Sequence, residues 1–161
     1  MADISAKNKI DLFVKELSAR KPSPGGGAAA ALAGALGAAL IVKVSNFTIG
    51  KKKYKKYEKK AKSIAKKATS LRDRLSGYIE KDARVYNEYS KTRSRISLKR
   101  AAACVAEIAK LSKDAVKLCR VLKKIGTRRL KGDLYAAEAL LLASERSADN
   151  LVRLNKKRAG R

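Results

Sequence analysis

The chain has 161 residues, of which 40 are Lys or Arg and 14 are Asp or Glu, so its formal net charge is +26. This length is typical of one domain, and an apolar fraction of 45% excludes an intrinsically disordered chain. Self-repulsion at this charge destabilises a compact fold unless anions neutralise it, so we expect nucleic acid, an anionic membrane surface or a polyanionic small molecule as partner.

The first predicted helix runs from about Ile4 to Ser18 and ends at a glycine-rich break. Its apolar residues recur at helical spacing and predict one buried face, made of Ile10, Phe13, Val14 and Leu17. The break, "KPSPGGG", leads directly into the second helix. Backbone N–H groups at a helix start can hold an anion, but a Gly-rich loop is also a common tight entry turn.

The second predicted helix, from about Gly27 to Asn46, is almost free of large side chains. Small residues four positions apart let another helix approach closely, and here they are Ala30, Gly34 and Ala38, joined by Gly37. We therefore expect this helix at the centre of a bundle or at a dimer seam. Its apolar run is short for a membrane span, so we expect no membrane partner.

The third predicted helix begins near Lys51 and continues unbroken to about Tyr89. Its apolar seam alternates three- and four-residue steps, the spacing of a helix packed against other helices. The seam consists of Tyr54, Tyr57, Ala61, Ile64, Ala68, Leu71, Leu75, Tyr78, Asp82, Val85 and Tyr89. Asp82 is its one charged member. A buried carboxylate with a raised pKa would suit a general acid or base, and a packing contact or an ion pair is the equal alternative.

The fourth predicted helix covers roughly Ser97 to Lys124 and is capped by Gly126, and the fifth runs from about Asp133 to Asn155. Short connections between long helices indicate an antiparallel bundle. The sequence thus predicts an all-α fold, an antiparallel bundle of about five helices that forms a homodimer. We expect a single helical domain over residues 1–155 and a frayed basic tail over residues 156–161.

Two observations bear on the compartment. Cys104 and Cys119 fall about 22 Å apart on one predicted helix, so they cannot pair with each other and are expected to stay reduced. The first ten residues, "MADISAKNKI", contain no apolar signal core. We therefore expect a cytoplasmic protein.

The stretch "SPGGGAAAALAGALGAALIVKVSNFTIGKKKY", Ser23 to Tyr54, resembles the formiminotetrahydrofolate cyclodeaminase and methenyltetrahydrofolate cyclohydrolase family. The resemblance continues in the same order through "DARVYN", "GDLYAAEALL" and "VRLN". It implies an all-helical, dimeric fold. It also implies an enzyme that acts on one-carbon units carried by folate, either releasing ammonia from formimino-folate or hydrating the methenyl bridge.

The resemblance also implies site residues. Asp82 and Asp133 match the two acidic positions of the family and would be catalytic. Gly25, Gly26 and Gly27 match its glycine loop and, with Lys51, Lys52, Lys53 and Tyr54 of its basic motif, would bind the ligand. We expect the two acids in one cleft beside the glycine loop, with the lysines at its mouth. Neither a metal nor a separate cofactor is implied, and a tetrahydrofolate derivative would be the substrate.

The sequence departs from the family pattern at three places. Ala28 follows the three glycines where the family usually has Ser, and Gly132 precedes the second acid where Ser is common. A segment with a Lys-Leu-Pro-Lys-like motif after the first acidic helix is absent, so the chain is shorter there. The helices are also lysine-rich where the family is often acidic. These departures remove residues from the expected active site, but we expect the fold to be retained.

Two functions compete. Because the cations are spread along the chain, the sequence favours a nucleic-acid-binding protein that contacts phosphates, with RNA, for instance ribosomal RNA on the ribosome, as its partner. The expected contact residues are Lys55, Lys56, Lys59, Lys60, Arg93, Arg95, Lys123, Lys124, Arg128, Arg129, Lys131, Lys156, Lys157 and Arg158. The alternative is the folate enzyme, which the glycine loop and the two acids favour.

Overall fold

The computed structural model describes residues 4–159, with side chains described for residues 9–158. Its helices are α1 (Ile4–Ser18), α2 (Gly26–Thr48), α3 (Glu58–Thr92), α4 (Arg95–Ile125) and α5 (Lys131–Ala159). Short 3-10 turns at Lys52–Tyr57 and Arg128–Leu130 precede α3 and α5. No strand occurs within the described range, so the all-α prediction is confirmed. The homodimer stays a prediction.

Helix α2 lies at the centre of the bundle, in contact with α3, α4 and α5. A Cβ atom on Gly34 would come within 2.8 Å of Ser144 Oγ and 2.9 Å of Ser112 Oγ, and one on Gly37 would lie 2.6 Å from Leu141 Cγ. The small residues therefore allow the close helix approach that their spacing predicts. By length and hydropathy α2 could span a membrane, but 56% of its most apolar window is buried in the bundle.

The core consists of two clusters stacked along α2. The cluster around its C-terminal half brings Ile41 together with Ile64 of α3 and Leu122 of α4, and the other packs Leu75 of α3 on Ile108 of α4. Burying each such Leu or Ile side chain contributes about 1.5–3 kcal/mol to folding. The seam predicted for the third helix is thus confirmed over its central part.

The third helix is not continuous from Lys51. The chain turns at Gly50, whose φ of +77° is unfavourable for other residues, and a 3-10 turn follows. Tyr54 Oη accepts a hydrogen bond of 3.1 Å from the Arg128 backbone N–H, which ties this turn to the connection between α4 and α5. Helix α5 continues to Ala159, so it includes the described part of the predicted basic tail.

Helix α1 has the predicted bounds but not the predicted burial. Ile10 and Val14 are 63% and 55% exposed, and α1 contributes no residue to either core cluster. None of the principal contacts between helices in the described residues involves α1. Within the described residues, the core is therefore built by α2 to α5.

Candidate functional site

Asp82 of α3 lies directly against the start of α2. A Cβ atom built on Gly27 would overlap the carboxylate carbon and both its oxygens, so only glycine leaves room for this side chain. The backbone N–H of Ala28 donates a hydrogen bond to the carboxylate. The glycine loop thus serves a purpose that its sequence alone leaves open: it seats a carboxylate at a helix start.

Burial governs the chemistry of Asp82. The residue is 5% exposed, and no Lys or Arg among the described residues forms an ion pair with it. Desolvation raises the pKa of its carboxyl from 3.8 to about 6, while the Ala28 hydrogen bond acts in the opposite direction. A carboxylate with a pKa just below neutrality can accept a proton at pH 7 and return it.

A pocket of about 180 Å³ opens beside Asp82. Its polar wall includes Tyr86, Asn155 and Arg158, and Leu151 contributes an apolar surface. Asn155 is 5% exposed, and its side chain forms no hydrogen bond with another described residue. Sequence reasoning did not propose Asn155. The signal was present, because it continues the buried face of α5 that runs through Leu141, Ser144 and Ala148.

Asp133 lies far from this pocket. It is in the first turn of α5, where Lys43 Nζ approaches its Oδ2 at 2.7 Å as an ion pair without hydrogen-bond geometry. Lys43 follows Gly27 by sixteen residues on α2, so the two carboxylates are separated by about 24 Å along that helix. Within one chain the expectation of a single cleft is wrong, because the central helix holds the two acids at opposite ends.

The basic motif lies at the same end as Asp133. Lys51 packs over the Phe47 ring at 5.7 Å, and Lys52 is exposed. Lys53 and Tyr54 line a second and larger cavity of about 620 Å³, which we call the cationic groove. Its charged lining residues are Lys53, Lys56, Lys123, Lys124, Arg128 and Lys131. The motif therefore does not reach the glycine loop of its own chain.

The fourteen cations proposed for nucleic-acid contact form no single surface. One group lies where α3 and α5 begin and α4 ends, namely Lys55, Lys56, Lys59, Lys60, Lys123, Lys124, Arg128, Arg129 and Lys131. The other group lies at the opposite end of the bundle and consists of Arg93, Arg95, Lys156, Lys157 and Arg158. Lys123 forms an ion pair with Glu138, which also pairs with Arg120, and Arg158 lines the Asp82 pocket. No cluster of three or more His, Cys, Asp or Glu side chains that could hold a metal occurs in the described part of the chain.

Comparison with known proteins identifies relatives. The chain is 36% identical over 128 residues to the methenyltetrahydrofolate cyclohydrolase of Methylorubrum extorquens, covering 76% of this chain and 62% of that protein. It is 32% identical over 74 residues to the formimidoyltransferase-cyclodeaminase of Rattus norvegicus, covering 46% of this chain and 14% of that one. The formiminotetrahydrofolate cyclodeaminase structure from Thermotoga maritima superposes with a TM-score of 0.86 at 28% identity, covering 96% and 79% of the two chains.

The profile of the formiminotransferase-cyclodeaminase family matches residues 9–159. This match, the Methylorubrum relative and the Thermotoga structure overturn the nucleic-acid-binding interpretation, which is wrong as the main function. Its alternative, the folate enzyme, is better supported. The nucleic-acid-binding interpretation depended on the net charge. A high positive charge favours binding of anions but does not identify which anion is bound. The family resemblance of the sequence is confirmed: the chain belongs to the formiminotransferase-cyclodeaminase family.

Proposed function

We propose that this protein is a folate one-carbon enzyme that hydrates the methenyl bridge of methenyltetrahydrofolate. The choice of reaction follows the cyclohydrolase relative, which matches over a longer stretch and at higher identity than the rat cyclodeaminase does. The observation that carries the proposal is Asp82, a buried carboxylate seated on Gly27 beside a pocket. Catalytic carboxylates have this kind of environment, in which burial adjusts the pKa toward neutrality.

The chemistry uses Asp82 as a proton carrier. The methenyl bridge is cationic, so an ionised Asp82 stabilises the bound substrate and accepts a proton as water adds to the bridge carbon. The new carbon–oxygen bond gives a neutral carbinolamine. Asp82 then returns its proton to the departing nitrogen, the carbon–nitrogen bond breaks, and the carbinol hydroxyl releases its proton to water as the formyl group forms. Asn155 is placed to orient the substrate through its free amide.

The Asp82 pocket is too small to enclose a whole folate, which bears on whether two chains associate to form the site. At about 180 Å³ it is smaller than the roughly 300–1,000 Å³ of typical ligand sites, so a single chain encloses only the reacting end of a folate. A face of α2 is at the same time uncovered: Leu36 and Phe47 are each 49% exposed. Exposed apolar side chains on a central helix favour contact with another apolar surface.

We propose a homodimer that pairs this face of α2 with its copy. Leu36 lies near the middle of α2, so a two-fold axis beside it would set the helices antiparallel. The Gly27 end of one chain would then lie beside the Phe47 end of the other. This arrangement supplies the basic motif of one chain to the glycine loop of its partner, which a single chain cannot do.

The activity is tested by incubating the protein with methenyltetrahydrofolate and, separately, with formiminotetrahydrofolate. We expect loss of the methenyl absorbance in the first assay, and we expect Asp82→Asn to lower kcat by about 100-fold or more, the range for removal of a general base. Glu80→Gln, an exposed carboxylate on the same helix, is the matched control and should retain activity. No turnover of the methenyl substrate, or full turnover by Asp82→Asn, would contradict the proposal.

The dimer is tested by analytical ultracentrifugation. Leu36→Lys introduces a charge at the proposed axis and should give a monomer with unchanged helical circular dichroism. Ile96→Lys places the same charge on another exposed apolar residue, 66% exposed at the start of α4, and should leave the dimer intact. A monomeric parent protein, or dimers in both variants, would refute the arrangement.

A further inference from the structure

Helix α2 presents an uncovered stripe that carries no free charge. The half-buried or exposed side chains of this stripe follow steps of three and four residues, and they are Ala29, Ala33, Leu36, Leu40, Lys43 and Phe47. Lys43 is the one charged residue of α2, and it is paired with Asp133 at 2.7 Å. Because the chain has a net charge of +26, a second copy meets the least repulsion at a face of this kind.

A groove of about 320 Å³ lies beside this stripe, between the first half of α2 and the middle of α5, and we call it the α2–α5 groove. Its walls include Ala29 and Ala33 of the stripe on one side and Ala143, Ser147 and Leu151 of α5 on the other. None of the residues that line it is charged. The groove is therefore an uncharged cleft between small side chains, and it opens on the same face as the stripe.

Phe47 is a large apolar side chain that its own chain leaves half exposed. It lies in the last turn of α2, is 49% exposed and belongs to neither core cluster. The Lys51 ammonium lies 5.7 Å from the centre of its ring. Burial of a Phe side chain removes about 150–250 Å² from water, so this ring favours a cleft that can enclose it.

In the homodimer proposed above, Phe47 of one chain meets the groove of the other. A two-fold axis beside Leu36 sets equal distances along the two α2 helices opposite each other. Phe47 lies about 16 Å beyond Leu36, and the α2 side of the groove, residues 26–33, lies about 5–15 Å before it. Phe47 follows Lys43, whose ion pair reaches α5, by one helical turn. Since the axis keeps α5 on one side of both α2 helices, the groove and the partner's Phe47 lie on the same side of the contact.

The area of this face is sufficient for a stable dimer. Two α2 helices in contact would cover a strip about 34 Å long and 10 Å wide, or roughly 340 Å² on each chain. That is less than half of the roughly 800 Å² that each partner of a specific complex buries. The α5 side of the groove roughly doubles the width, and each inserted Phe ring adds about 150–250 Å², so the whole face reaches the required area.

We propose that Phe47 of each chain inserts into the α2–α5 groove of a second copy. The groove shares Gly26 and Leu151 with the Asp82 pocket, so the inserted ring packs behind a wall of that pocket. This inference rests on the homodimer proposed above, and it identifies the side chain that joins the two copies next to each Asp82 pocket.

The test is a disulfide bond between two chains. Phe47→Cys/Ser147→Cys should give a covalent dimer on mild oxidation, measured by non-reducing gel electrophoresis. The two cysteines cannot pair within one chain, because Phe47 lies about 21 Å along α2 from Ala33, which lines the groove with Ser147. The native cysteines, Cys104 and Cys119, are buried and should not react. This readout does not depend on turnover, so it is separate from the folate assay.

Two controls make the result specific. Phe47→Cys/Ile96→Cys places the second thiol on an exposed residue at the start of α4, outside this face, and should give no covalent dimer. In analytical ultracentrifugation, Phe47→Ala should raise the dimer dissociation constant about 30-fold or more, whereas Val121→Ala, at another exposed apolar residue, should change it less than about twofold. A dimeric parent that forms no cross-link, or a Phe47→Ala dimer as tight as the parent, would overturn the groove contact and leave the homodimer. A monomeric parent would overturn both.

Discussion

Asp82→Asn should stabilise the protein while it removes activity. The carboxylate of Asp82 is buried against Gly27 without a cation partner, so ionisation costs free energy in the fold that it does not cost in the unfolded chain. Asparagine has nearly the same shape, and its amide oxygen can still accept the Ala28 N–H. The substitution therefore removes a buried charge and leaves the packing in place.

The size and sign of the effect follow from the pKa of Asp82, which is raised from 3.8 to about 6. Each tenfold difference in proton affinity corresponds to about 1.4 kcal/mol, so the ionised form is disfavoured by about 3 kcal/mol. Below pH 3.8 the carboxyl is protonated in both states and the penalty is absent. As pH rises through 6 the fold must lose the proton, and the wild type loses this stability relative to the variant.

The measurement is urea denaturation of both proteins between pH 4 and pH 8. We expect the variant to gain stability over the wild type as pH rises, with a difference that levels off above about pH 7. Glu80→Gln, exposed on the same helix, controls for the loss of one negative charge from a cationic protein. A difference that is independent of pH, or one that favours the wild type at pH 8, would refute the reasoning.

Four further substitutions test the packing by urea denaturation and turnover. Gly27→Ala should displace the Asp82 carboxylate and lower the proposed cyclohydrolase activity by at least tenfold, and full activity would show that the contact between Gly27 and Asp82 is dispensable. Gly34→Ala should destabilise the fold by about 1–3 kcal/mol through overlap with buried hydroxyls, whereas Gly77→Ala, with open space at its Cβ position, should stabilise α3 by about 0.5–1 kcal/mol. Gly50→Ala should cost about 1–2 kcal/mol because its φ is +77°, and unchanged stability would argue against a left-handed turn there.

The spacing of residues along single helices predicted which faces of α2 and α3 are buried. The four-residue repeat of Ala30, Gly34 and Ala38 indicated the central helix, and the seam position of Asp82 indicated its burial. Both inferences concern which face of one helix is covered. Helical periodicity carries that information directly.

The parts of the fold and of the site that were predicted wrongly depend on distances between helices. Helical periodicity gives no information about these distances. The apolar face of α1 resembled a core face, yet Ile10 and Val14 are exposed. Motif order suggested one cleft for both acids, yet Asp133 lies at the far end of α2. Net charge was the weakest guide, because a Coulomb field summed over the whole chain does not distinguish a folate pocket from a nucleic-acid surface.

The contact between Gly27 and Asp82 also constrains how this chain can vary. Any side chain at position 27 would occupy the space of the carboxylate, so the effect of a substitution there depends on the residue at position 82. Alanine at 27 should be harmful beside Asp82 and acceptable beside a glycine or alanine. The two positions therefore show epistasis, and in a library that randomises both, sequences that keep the acid should keep the glycine with it.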